Sequence, residues 1–178
     1  MAMKLLATNI ESGDATSDFT SDIDSTYKLY IFKFIDINPA SDAAHFGFQV
    51  NATDGADYDD SPITSTYFFA SHDEAGSATD LDYHATHDQA QGTAFQNLAH
   101  NVGNGADESC AGTLWLFNPS NTTYIKQFNS TFNIYNNSDY SFNTFCGGYI
   151  NDTTAVDDIR FKFSSGNMDG TIKMYGVG

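Results

Sequence analysis

Histidines and carboxylates that could bind a metal ion lie close together in the middle of the chain. His84 and His87 are followed directly by Asp88, and His72 and Asp73 lie a short way upstream. Two imidazoles and a carboxylate are a ligand set that Zn²⁺ accepts. The segment lacks the glutamate of a His-Glu-x-x-His motif. We therefore predict a polar, hydrogen-bonded loop, with a zinc site as the alternative.

Oxygen ligands for a harder cation occur in the segment from Asp54 to Asp60, which is Asp-Gly-Ala-Asp-Tyr-Asp-Asp. Ca²⁺ binds carboxylate oxygens, but this segment has neither the spacing of an EF-hand nor its closing glutamate. We expect a solvated acidic loop. A weak Ca²⁺ site at a subunit interface is the alternative.

The two cysteines, Cys110 and Cys146, lie in apolar segments typical of strands. Buried reduced thiols are the usual state in a protein made in a reducing cytosol. A disulfide between them is the alternative, and the distance between the two residues decides it.

No residues suggest an enzyme. The chain has no Gly-x-Ser-x-Gly motif, no base beside either cysteine and no glycine-rich phosphate loop with a lysine. Aspartate is so abundant that no carboxylate pair for glycoside cleavage can be nominated. We nominate no catalytic residue, no cofactor and no metal ligand, and a hydrolase acting on cell-envelope sugars remains a third functional hypothesis.

Composition indicates one β-rich domain. The chain has 178 residues, of which 15% are aromatic, and aromatic residues and threonine favour strands. Its formal net charge is -16, with 7 Lys and Arg against 23 Asp and Glu. Such a chain repels polyanions at long range, so we expect no nucleic-acid partner unless a bound cation inverts the local charge, and an anionic membrane surface is disfavoured for the same reason.

The hydrophobic pattern predicts short antiparallel strands. Residues 27–35 are apolar on both alternating faces, and residues 112–117, 123–135 and 159–163 form further apolar or alternating runs. The segment 136–139 is a hairpin-type turn. Eight to ten such strands without helical periodicity predict an all-β antiparallel β-sandwich, and we favour a jelly roll.

Two segments lack this pattern. Residues 1–15 are expected to form an N-terminal arm outside a single sandwich domain of residues 16–178. Residues 72–92 are polar and are expected to form a helical turn or an irregular excursion. The apolar start of the chain becomes polar at Thr8, which is too soon for a signal peptide, and no run is long enough to span a bilayer.

The last residues predict an antiparallel hairpin, in which a strand ending at Phe163 turns at Ser164 to Asn167 and returns to Tyr175. This ending, SGN-x-x-GTIKMYG, resembles the ending of many surface proteins of tailed bacteriophages, especially marine ones. Further stretches that resemble small virion proteins of such phages are residues 19–30, 37–42, 64–68, 116–124, 148–151 and 154–157.

The resemblance implies a structural protein on the outer surface of a virion, made in the host cytoplasm. The leading hypothesis is a capsid decoration (cement) protein, a homotrimer bound to the major capsid protein. The alternative is a tail fibre or spike module that binds a host-surface glycan. Aromatic residues that could stack on sugar rings in that case are Trp115, Tyr124, Tyr135 and Tyr140, although burial is favoured for Trp115.

Overall fold

The structure is a computed structural model that describes residues 2–53, 58 and 61–178. These residues form thirteen β-strands, connected by turns and loops. The strands are Met3–Asp14 (β1), Ser17–Phe19 (β2), Leu29–Pro39 (β3), Ala44–Ala52 (β4), Ile63–Asp73 (β5), Thr79–Tyr83 (β6), Ala90–Gly92 (β7), Gln96–Val102 (β8), Cys110–Phe117 (β9), Lys126–Tyr135 (β10), Tyr140–Ile150 (β11), Val156–Phe163 (β12) and Met168–Val177 (β13).

The strands form two antiparallel sheets packed face to face, so the predicted antiparallel β-sandwich is confirmed. The large sheet has nine strands in the order β1-β13-β3-β9-β10-β11-β5-β6, with β7 also paired to β5. The small sheet has four strands in the order β2-β12-β4-β8. A jelly roll in its simple form has eight strands, and the arrangement here is larger and less symmetric.

Aromatic rings fill the space between the sheets. Phe34 of β3 lies 5.0 Å from Phe132 of β10 and 5.0 Å from Phe161 of β12, measured between ring centroids. Phe46 of β4 stacks on Phe161 at 6.1 Å. Burying one such side chain contributes about 1.5–3 kcal/mol. This packing explains why alternate positions of these strands are aromatic.

The described residues of the predicted arm, 2–15, do not form an arm separate from the sandwich. Strand β1 pairs along its length with β13, from Met3 opposite Val177 to Asp14 opposite Met168. Leu6 and Ala7 pack against the core. A bulge between Leu5 and Ala7 interrupts the alternation of β1. The apolar start of the chain, Met3 to Ala7, was readable as a short strand, but neither its continuation to Asp14 nor its pairing with β13 was.

The predicted C-terminal hairpin is wrong in one respect. Strands β12 and β13 follow each other in sequence, but β12 pairs with β2 and β4 in the small sheet, whereas β13 pairs with β1 and β3 in the large sheet. The turn between them, with Gly166 at a positive φ of 74°, crosses from one sheet to the other. Both strands carry apolar residues toward the core, so they face each other across it.

Residues 72–92 also differ from the expectation of an irregular excursion. They include β6 and β7, which both pair with β5 at the margin of the large sheet. All five residues of β6 are exposed, so this strand has no buried face to give it a hydrophobic pattern. The predicted turn at 136–139 is confirmed, with the Asn136 side chain accepting hydrogen bonds from the backbone of Ser138 and Tyr140.

Among the described residues, no helix has the length and apolar character needed to cross a membrane.

Candidate functional site

The solvent-facing side of the large sheet, called the outer face below, concentrates exposed apolar side chains. Every exposed large hydrophobic residue in the described part of the chain lies on this face or in the loop beside it. They are Met3, Leu5, Ile10, Ile35, Phe68, Leu81, Tyr83, Phe117 and Tyr124. Exposed apolar side chains gathered on one side of a protein mark interaction surfaces.

The centre of the outer face carries no carboxylate. Strands β9, β10 and β11 contain no Asp or Glu, although the chain has 23. Their outward positions hold amides, hydroxyls and rings instead, such as Asn129, Thr131 and Phe145. The exclusion of acids from these three neighbouring strands makes this face electrostatically distinct from the rest of a strongly acidic protein.

Two shallow depressions meet on the outer face at Asn129. One has a volume of about 340 Å³ and is lined by Phe68 and Phe145, whose rings stack at 5.0 Å with an interplanar angle of 12°. The other has a volume of about 400 Å³ and lies between Phe117 and Tyr124. Aromatic rings beside an amide form a surface suited to a flat apolar ring or an extended peptide.

Two lysines lie next to each other on the outer face. Lys33 of β3 is directly opposite Lys173 of β13. The Lys33 Nζ donates a hydrogen bond of 2.9 Å to the Thr113 hydroxyl and lies 5.9 Å from the centre of the Trp115 ring. Trp115 itself is half-buried on this face and is not part of the core, so the burial favoured from the sequence is only partial within the described chain.

The histidines of the alternative zinc site are only partly brought together. His84 and His87 lie 4.3 Å apart between ring centroids, and His100 and His45 join them at 5.0 Å and 4.9 Å from His87. His72 is not part of this histidine cluster. Across the described residues, no group of three or more His, Cys, Asp or Glu side chains is arranged to hold a metal ion.

Burial favours the uncharged forms of three histidines of the cluster, His45, His87 and His100. Burial, together with smaller contributions from the neighbouring histidines, lowers the pKa of His87 to about 4 and that of His100 to about 3. Burial also lowers the pKa of His45, with a smaller contribution from His84. The His100 Nδ1 and the Tyr67 hydroxyl are hydrogen-bonded at 2.8 Å. These groups form part of the packing where β4 and β8 meet the segment after β6.

The carboxylates of the alternative zinc site have structural roles. Asp73 accepts hydrogen bonds of 2.9 Å from the backbone of Ser77 and Ala78, which fixes the turn between β5 and β6. Asp88 accepts a hydrogen bond from the Tyr83 hydroxyl. The segment Asp54 to Asp60, the alternative Ca²⁺ site, lies outside the described residues except for Tyr58.

The cysteines are free and buried, which answers the disulfide question. Cys110 pairs with Ile134 and Cys146 pairs with Ser130, four positions away along β10. Four strand positions span about 13 Å, well beyond the reach of a disulfide.

The four candidate sugar-stacking residues separate into two groups. Trp115 and Tyr124 lie on or beside the outer face, whereas Tyr135 and Tyr140 flank the turn between β10 and β11. The sequence alone did not indicate Phe68, Phe145 or the lysine pair. The absence of acids from residues 110–135 and 140–150 was visible in the sequence and could have pointed to this face.

No protein-family model and no curated protein matches the chain. Among solved structures, a legume lectin-like domain from Entamoeba histolytica is similar over 99% of this chain and 90% of its own, at 10% identity and a TM-score of 0.37. Both values are too low for this likeness to say anything about function.

Proposed function

We propose that this protein is a structural component of the outer surface of a tailed-bacteriophage virion. In this proposal it is a decoration protein that binds the major capsid protein shell through its outer face. The observation that carries the proposal is that the exposed large hydrophobic side chains of the described residues lie on the outer face or in the loop beside it, and that the central strands of this face, β9, β10 and β11, contain no acid.

The physical argument is one of surface energetics. Burying apolar surface contributes about 25 cal/mol per Å². A free monomer that leaves side chains such as Leu81 and Tyr83 exposed does not gain this free energy. A partner surface that covers the face recovers that free energy. The rest of the protein, at a net charge of -16, stays solvated and repels unwanted contacts.

The resemblance of the C-terminal ending to phage surface proteins supports a position in a virion. The partners that we propose are other copies of the chain, as a homotrimer, and the major capsid protein. Many copies bound to neighbouring capsid subunits would brace the shell against the pressure of the packaged DNA.

Copy number and surface substitutions test the proposal. Quantitative mass spectrometry of purified virions should give hundreds of copies per particle. A double variant, Phe68→Asp and Phe117→Asp, should lower occupancy on virions at least tenfold because it places two charges on the outer face. The matched control is Thr20→Asp, an exposed position just after β2 of the small sheet.

Two results would overturn the proposal. A few to a few dozen copies would place the protein on the tail or at a vertex. A folded double variant at full occupancy would exclude the outer face. Deleting residues 1–15 would not test attachment to the capsid by itself. The deletion also removes β1, which leaves β13 as an unpaired edge strand of the large sheet.

Glycan binding is the second candidate function, and the depressions at Asn129 favour it. Rings at Phe68 and Tyr124 could stack on sugars while the amide of Asn129 forms hydrogen bonds. A glycan array with selective binding that is lost in both Tyr124→Ala and Asn129→Ala would support this function. An array without binding would exclude it.

A further inference from the structure

We infer that the partner bound at the outer face is a protein surface that presents a carboxylate to Lys33 and Lys173. This inference rests on the proposed function and specifies the chemistry of the partner.

The placement of Lys33 directly opposite Lys173 has an electrostatic cost. Side chains directly opposite each other in an antiparallel pair have Cβ atoms about 4.5–5.5 Å apart, and like charges at that distance are destabilising. Lys33 and Lys173 occupy such a pair. The neighbours in the same row are the hydroxyl residues Thr8, Thr113 and Thr131, none of which can neutralise the charge.

The chain does not lack acids that could have neutralised the pair. Within the described residues, the carboxylates that lie beside a basic group are Asp18, next to Arg160, and Asp73, next to His72, so neither lysine has a carboxylate partner. Three other cations are used within the fold. Arg160 binds Asp18 with two hydrogen bonds, Lys162 lies 4.2 Å from the centre of the Phe95 ring, and Lys126 is fully buried.

The surroundings of the pair suit an ion pair formed on docking. The lysines lie between apolar residues of the same face, with Ile31 and Tyr175 in one adjacent row and Ile35 in the other. A partner that covers these residues would shield the pair from water. Away from water, the attraction between a lysine and a carboxylate is stronger, and a charge left without a partner is costly. An ion pair in that position fixes the register of the two surfaces.

Charge also restricts the class of partner. A polyanion such as nucleic acid would be repelled by the net charge of -16 before it reached the pair. A protein surface that carries only one or two carboxylates among apolar residues is repelled far less by this net charge, and its carboxylates can reach the lysines.

The sharpest test uses the variant Lys173→Glu. It replaces a repulsive contact with an attractive one across β3 and β13, so the isolated protein should unfold at the same temperature as the wild type or a higher one. Binding to purified virions that lack this protein should nevertheless weaken at least tenfold. A structural defect would lower both the unfolding temperature and the binding to virions, so it cannot explain weaker binding by a protein of unchanged or higher stability.

The control is Lys28→Glu, which makes the same change of charge at an exposed lysine just before β3. Binding of the control should stay within twofold of the wild type. Wild-type binding should also weaken with added NaCl more steeply than binding of Lys173→Glu does.

The outcomes separate the two proposals. If Phe68→Asp with Phe117→Asp abolishes binding while Lys173→Glu binds like the wild type, the carboxylate partner is wrong and the docking face stands. If neither variant affects binding, the docking face itself is wrong. If Lys173→Glu keeps virion binding but loses binding to acidic glycans on an array, the ligand of the pair is an anionic sugar and the inference is overturned.

Discussion

The imidazole rings of His87 and His100 stack at 5.0 Å with an interplanar angle of 22° in the space between β8 and the segment after β6. Both rings are buried. A stacked pair of this kind holds together only while both rings are neutral, because two protonated imidazoles at that distance repel each other.

This relationship predicts that acid destabilises the protein. The folded-state pKa values of His87 and His100, about 4 and about 3, lie below the ordinary value near 6.5. The unfolded chain therefore binds protons first as the pH falls. The stabilisation is complete above about pH 6.5 and is lost as the pH falls from there toward the folded-state values, with a loss on the order of 1–2 kcal/mol per histidine at pH 5.

Urea unfolding between pH 7.5 and 5 measures this effect. The double variant His87→Gln and His100→Gln should lose most of the dependence on pH in this range. His72→Gln, at an exposed histidine outside the cluster, should keep it. An unchanged pH dependence in the double variant would show that other groups cause it.

Lys126 is predicted to be a structural residue. Its side chain is fully buried, and its ammonium group donates hydrogen bonds to the backbone carbonyls of Asp152, at 2.9 Å, and Thr154. Lys126→Met leaves these carbonyls without that donor and should lower the free energy of unfolding by about 1–3 kcal/mol. Chemical denaturation measures the loss, and Lys28→Met at an exposed site should change stability by less than about 0.5 kcal/mol.

The two thiols are predicted to be inert in the folded protein. Burial raises the pKa of Cys110 and Cys146 well above the usual range of a thiol, so almost no thiolate forms at neutral pH. A thiol reagent at pH 7.5 should react with neither cysteine in the native protein and with both in concentrated urea, without prior reduction. Reaction in urea only after reduction would reveal a disulfide.

Gly112 is predicted to tolerate no side chain. A Cβ atom at this position would lie 2.5 Å from Cγ of Phe132 and 2.5 Å from the carbonyl oxygen of Thr131. Gly112→Ala should therefore displace a core ring and lower the free energy of unfolding by about 1–3 kcal/mol. Thermal unfolding measures this change. Ala111→Ser, at the exposed adjacent position, serves as the control, and equal melting temperatures for the two variants would contradict the prediction.

Patterns within single strands were sufficient for the fold class. The run predicted over residues 123–135 contains Phe128, Phe132 and Ile134 at alternate or near-alternate positions, and all three are buried. Lys126, two positions before Phe128, breaks this pattern in the sequence. It is buried because distant carbonyls at 152 and 154 bind its ammonium group, and such partners are not visible in a local pattern.

The candidate site was much less accessible to prediction than the fold. His84 and His87 are close in sequence and were considered together in the alternative zinc site, whereas His45 and His100 join them only because β4 and β8 are neighbours in the small sheet. Phe68 and Phe145 are 77 positions apart and meet through the pairing of β5 with β11.

The sequence by itself determined that this chain forms antiparallel strands around an aromatic core, because alternation and turn residues act over a few positions. Only the tertiary structure decided which strands share a sheet. The strands before and after Gly166 carry the same alternation as a hairpin, yet they pack in opposite sheets. Pairing between distant strands also placed Lys33 opposite Lys173, since cross-strand register depends on which segments meet and not on what either segment contains.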